Sequence, residues 1–240
     1  MGAIAWDNVG SRHYETGVDR VVIYVQNEAS SWNGITAINE SPSGAEPSKI
    51  YADDIVYGVV MCPEENTVTV EGFTYPDCFK PCIGEKELAK GAYVNQQSHV
   101  SFGLCWRSLV GNDRNGLSDY KLHIVPKLFA SPSEDSNSTI NDSPEQKTFS
   151  FSATAISVQL DEDLWTSSIV IDSRKLKAAG LANALRPLED VLYGTENTVP
   201  RIPKAGEILT MLIRSRMLLD SSGNSILDSS GDSVLTFVSN

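Results

Sequence analysis

Four cysteines and three histidines are the residues of this chain best suited to hold a metal or to pair a nucleophile with a base, and their spacing favours neither. Cys78 and Cys82 enclose three residues, and Cys62 and Cys105 belong to no second clip. Structural zinc needs tightly spaced pairs of ligands, so the thiols read as small hydrophobes kept reduced. His13, His99 and His123 are scattered. If Leu122 and Ile124 share the face of Trp106 in a hairpin, His123 falls near Arg107 and Cys105, a pair with no third group to orient it. Asp220, Asp228 and Asp232 in the C-terminal repeat suggest calcium, but the loops lack the alternating acids, central glycine and terminal glutamate of an EF-hand. No phosphate-cradling glycine loop or nucleophile elbow occurs. The expectation is a protein that is not an enzyme and uses no cofactor and no metal.

The charge is as informative as the missing motifs. With 31 acidic and 19 basic residues the net charge is −12, which disfavours any role that neutralises phosphates with Lys and Arg. Glu134, Asp135 and Asp142 lie in a long loop, 130–143, without a basic residue. Arg174, Lys175 and Lys177 cluster where a helix begins, although its dipole prefers acids there. That mismatch predicts carboxylate partners elsewhere, a neighbouring copy included. The N-terminus shows no basic region followed by an apolar one, so no secretory signal is expected. The longest apolar runs are strand-sized, far below the ~20 residues of a membrane span.

The elements that must position these residues are mostly strands. Val21–Val25, Ile55–Val60 and Thr148–Ala153 are rich in β-branched or alternating residues, and Thr67–Phe73 alternates with period two. Val100–Trp106 and Tyr120–Val125 flank a turn-rich loop and read as a hairpin. Ser167–Ile171 and Glu207–Ile213 read as further strands. Between them Leu181, Leu185, Leu188 and Leu192 recur at helical spacing behind a capping Ser173, with a break expected at Pro187 and a stop at Gly194. The predicted fold is mainly β: an antiparallel β-sandwich or barrel of about eight strands, with one helical segment at about 173–193 and long loop arms. The longest arm is 27–52, a polar excursion with Trp32, Ile35, Ile38 and Tyr51 as apolar anchors. Loops beyond about 12–15 residues are usually functional or disordered. The main domain is placed at 1–215, and 216–240, with its tandem octads 219–226 and 227–234, as a hairpin-like extension.

At the arm the text becomes familiar. NGITAINESPSGAEPSKIYADDI, 33–55, resembles the major tail tube proteins of bacteriophages with long non-contractile tails. Tyr14–Arg20, Thr74–Asp77, Ser101–Arg107, Gly111–Asp113, Tyr120–His123 and Asn141–Glu145 look like the same family's text in the same order, from roughly residue 12 to 205. The resemblance implies a structural virion protein, made in the bacterial host cytoplasm and residing in the virion tail. It implies hexameric rings stacked into a tube, with DNA passing through unbound and with tape-measure, tail-terminator and tail-tip proteins as partners. Trp32, Asn33, Gly34, Ile35, Ile38 and Tyr51 would then serve as an inter-subunit arm. Glu134, Asp135 and Asp142 would face the lumen or the next ring, and Arg174, Lys175 and Lys177 a neighbouring subunit. Edge strands without Pro and with little charge invite such pairing. The alternative is a monomeric β-sandwich binding module, an adhesin or carbohydrate-binding domain, stacking ligand on Trp32, Tyr51 or Trp165.

Overall fold

The alternation seen in the sequence is realised as a sheet. In the computed structural model the described residues are 6, 8–26, 28–61, 64–135, 137, 139, 146–161 and 164–214. Cys62, Asp142 and the repeat with Asp220, Asp228 and Asp232 lie outside them. The strands are β1 (His13–Val25), β2 (Glu28–Ser31), β3 (Ile35–Gly44), β4 (Pro47–Ala52), β5 (Ile55–Met61), β6 (Glu64–Gly72), β7 (Lys86–Ala89), β8 (Ala92–Val94), β9 (Phe102–Asn112), β10 (Gly116–Ala130), β11 (Phe149–Ala155), β12 (Val158–Asp161), β13 (Leu164–Thr166) and β14 (Ile169–Asp172). The helices are α1 (Ser173–Ala178), α2 (Leu185–Tyr193) and α3 (Ala205–Arg214), with 3-10 turns at Asp77–Ile83 and Ala182–Ala184. Eight strands form one antiparallel sheet in the order β2-β1-β9-β10-β11-β6-β3, with β14 also paired to β10. Three two-stranded ribbons, β4-β5, β7-β8 and β12-β13, complete the described strands.

The chain forms two compact units, one of Arg20–Leu104 with Val125–Val158, the other of Met1–Asp19, Cys105–Ile124 and Gln159–Asn240. The first is built on period two. Val68 and Val70 of β6 are buried while Thr67 and Thr69 are only half so, and β11 sets Phe151 opposite Val70 and Ala153 opposite Val68. Cross-strand apolar pairs on one face are the unit of sheet stability. Above them Trp32, Phe79, Phe102 and Phe151 cluster, with Phe79 4.8 Å from Trp32 and 5.3 Å from Phe102 between ring centroids. Tyr75 adds edge-on contacts to Phe149 and Phe151 at 5.1 and 5.3 Å.

In the second unit, Leu185, Leu188 and Leu192 give α2 its buried stripe, and Leu122, Ile124 and Ile171 are buried on the strands. β14 pairs with β10, Ile171 opposite Leu122. The expected helical segment is divided, but at Gly180 rather than Pro187. Pro187 sits in the first turn of α2, where the missing N–H has no intrahelical acceptor to lose. Gly194, at φ 77°, ends that helix as expected. The cap of α1 is Asp172, whose carboxylate accepts from the Lys175 N–H, and Ser173 instead accepts from the Tyr120 N–H at 2.9 Å.

Two further assignments from sequence are corrected. Glu207–Ile213, expected as a strand, lies within α3. The Glu207 carboxylate reaches back to the Lys204 N–H at 3.1 Å and pairs with Arg201 at 2.7 Å, half of a capping box that starts the helix. The excursion at 27–52, expected as a loop arm, is largely strand. Residues 28–31 and 35–44 join the main sheet, and Asn39, Glu40 and Ser41 of β3 pair with Thr69, Val68 and Thr67 of β6.

Candidate assembly surface

The β3–β6 ladder runs to Gly44 opposite Glu64, and pairing resumes with Pro47 opposite Met61. Beyond it β4 and β5 form an antiparallel ribbon, shifted by a bulge between Ile50 and Tyr51. Its turn is the residue pair Asp53–Asp54, at φ 51° and 60°. Two left-handed residues are what a type I′ turn requires, and Asp tolerates that region better than most. Tyr51 is 65% exposed, Ile55 64%, Tyr57 76% and Met61 64%. Val56 and Val60 alternate with them along β5 and are also exposed, so the ribbon buries neither face. A free two-stranded ribbon is at best marginally stable in water. A contiguous apolar surface of this kind marks a place where something binds.

The residues singled out from sequence fall around this ribbon in different ways. Trp32 is 4% exposed, and its indole N–H donates to the Thr74 carbonyl at 2.8 Å. It is a core residue, unavailable to a partner or to a stacking ligand. Asn33 and Gly34 form the exposed bend into β3, with Gly34 at φ 80°. Ile35 and Ile38 are half-buried on β3, the last strand of the main sheet's order. Tyr51 alone of that set stands on the ribbon. Glu134 and Asp135 are exposed in their loop, and Asp135 pairs with Lys147. Of the basic cluster, Lys177 meets Asp119 at 2.7 Å and Arg174 meets Asp172 at 3.7 Å, both within the helical unit, while Lys175 is exposed.

The polar chemistry of that unit sits on β1, β9 and β10. Ser108 donates to the Glu15 carboxylate at 2.5 Å and contacts His123 Nε2 at 2.9 Å, and Lys121 binds the other Glu15 oxygen. Burial pushes the Glu15 carboxyl up, but the hydrogen bonds from Lys121 and Ser108 outweigh it and hold the group below its ordinary range. In a hydrolytic triad the imidazole bridges hydroxyl and carboxylate. Here the hydroxyl bridges the other two, an order unlike that of a triad, and the trio ties β1, β9 and β10 together. His123 stacks on Trp106 at 5.0 Å with the planes 5° apart, not beside Arg107 as expected. His123 therefore shares the face of Trp106 and Ser108, the reverse of the faces assumed for this hairpin. Arg107 instead forks onto Asp19 at 2.9 and 2.6 Å, lies 3.7 Å from Glu189 and covers the Tyr120 ring.

The thiols of Cys82 and Cys105 are buried, and desolvation pushes both up to about 12. Among the described residues no cluster of three His, Cys, Asp or Glu side chains is arranged to hold a metal. No helix among them is long and apolar enough to cross a membrane.

No family model and no curated protein matches the chain. Among solved structures, it is similar to the sheath/tube terminator, in its extended state, of an extracellular contractile injection system, PVC. The TM-score is 0.27 and the identity 16%, over 70% of this chain and 99% of the other. A superposition at that level is too shallow to fix a shared fold.

What the sequence reading missed is the ribbon itself. Ile55–Val60 has the β-branched text of a buried strand, and its exposure has no local signal. The turn did have one. Asp53-Asp54 between two apolar-rich segments has the form of a hairpin tip.

Proposed function

We propose that this chain is a structural subunit that assembles with copies of itself into the tube of a phage-type tail, stacked as rings that are probed below through their arm. The observation that carries the reading is the β4–β5 ribbon, exposed and apolar on both faces. Its first strand and its turn fall in the stretch, 33–55, whose text resembles that of major tail tube proteins. Its area is best buried by a partner, and one rotation operator applied repeatedly gives every copy the same burial. Hexameric rings, a DNA conduit, residence in the virion tail, and contacts with terminator, tape-measure and tip proteins complete the proposal by resemblance.

The test is excision of residues 45–63, with Gly44 rejoined to Glu64 through an Asn-Gly turn. This leaves β3, β6 and Trp32 in place, whereas deleting 32–48 would remove an edge strand and a core indole. Electron microscopy of the concentrated intact chain should show tubes of uniform width, and the excised chain should fold cooperatively and form none. Tubes from the excised chain, or an intact chain that stays monomeric at every concentration, would overturn the proposal. A glycan-binding module is the second reading. Trp165 at 61% exposure and Tyr51 at 65%, each by itself a possible stacking platform, favour it, and glycan-dependent shifts in a strictly monomeric sample would establish it.

A further inference from the structure

We infer that the tip of the β4–β5 ribbon docks into the cleft beneath the β7–β8 ribbon of a second copy. The inference rests on the assembly reading and adds the receptor to it. The cleft has a volume of about 710 Å³ and is lined by Lys80, Pro81, Lys86, Lys90, Tyr93 and Val100 among others. That volume is within the ~300–1,000 Å³ of sites that enclose a sizeable ligand. Its charges are unequally committed. Lys80 is held by Asp77 at 2.6 Å and lies 3.9 Å over the Tyr93 ring. Glu87 is occupied by the Gly91 N–H at 2.9 Å. Lys86 and Lys90 are exposed and form no ion pair among the described residues, so the rim offers two uncommitted ammonium groups alongside the carboxylates of Glu85 and Glu87, the latter keeping its charge while it accepts from Gly91.

The ribbon tip presents two acids that can partner those two lysines. Asp53 and Asp54 sit side by side in the turn, also without an ion pair among the described residues, and Tyr51, Ile55 and Tyr57 follow them back along the strands. Acids would meet the rim lysines while the aromatic and branched side chains enter against Tyr93 and Val100. The tip is exposed in the single chain, so the copy that receives it must be another one. Such a contact joins two different surfaces, head to tail, the kind that closes into rings or extends into tubes.

Charge reversal tests it in the full-length chain. D53K/D54K and K86E/K90E, all at exposed positions, should each raise the concentration needed for polymerisation about tenfold or more, since juxtaposed like charges are costly. The four-fold variant should return it toward the intact value. Equal unfolding midpoints for all three would show that folding is unchanged. A photo-crosslinking phenylalanine at position 51 should attach to peptides from 86–100 of a different molecule. Singles that assemble normally, a four-fold variant no better than its parents, or crosslinks elsewhere would overturn the receptor assignment. If excising the ribbon still abolishes tubes, the arm stands and only the receptor falls; if tubes persist, both fall.

Discussion

Trp32 shows how much one side chain's setting matters to its role. A tryptophan in polar text invites a role at a partner surface, but this one packs on Phe79, lies 6.4 Å from Phe151 and donates a hydrogen bond to Thr74. Removing a buried tryptophan costs ~3–5 kcal/mol, a large part of the ~5–15 kcal/mol that holds a typical domain folded. Trp32→Ala should therefore lower the urea midpoint sharply, and Trp32→Phe should recover most of the loss, less ~1 kcal/mol for the hydrogen bond. A midpoint unchanged by Trp32→Ala would return the residue to the surface. Glu15 makes the opposite kind of contribution, through charge. Its folded pKa is below the ordinary 4.5, so the stability it adds is complete above that value and is lost as pH falls through the folded one. Glu15→Gln should cost ~0.2–1 kcal/mol near neutrality, as partly exposed pairs do, and progressively less below the ordinary value. Urea midpoints across the acid range check this, and a difference that stays constant through it would refute the assignment.

At the scale of elements, legibility in the sequence followed how much of an element's stability is local. β6 and β11 were readable because one face of each is buried and alternation records it. The leucines of α2 were readable for the same reason at helical spacing. α3 was not, because Ile208-Leu209-Thr210-Met211-Leu212-Ile213 is too short for periodicity to separate strand from helix. The deciding features are Glu207 and Arg201 just outside that window. β3 was hidden by its composition. Asn39, Glu40, Ser41 and Pro42 have little intrinsic preference for a strand, and β6 supplies the ladder that holds them. The candidate surface was half legible. Its place in the chain was marked by the resemblance and the turn acids, but whether Ile55–Met61 is buried or exposed depends on what lies across from it. A run of apolar side chains is the same text in both cases.

For the whole molecule the question is which force governs association, and the charge allows an answer. Each copy carries −12, so bringing copies together is opposed by a repulsion whose range is set by salt, about 30 Å at 0.01 M and about 8 Å at 0.15 M. The apolar ribbon contributes attraction that does not depend on charge. Contacts between the tip acids and the rim lysines are also weakened by salt, but screening removes the repulsion between distant charges of a net −12 chain well before it reaches charges in direct contact. Screening should therefore help more than it hurts. Raising sodium chloride from about 0.01 M to about 0.3 M should lower the concentration at which the chain polymerises, and sulfate should lower it further by strengthening apolar burial. Light scattering against protein concentration at each salt measures both effects. Polymerisation that weakens steadily with salt would mean that ion pairs, not the exposed ribbon, hold the copies together.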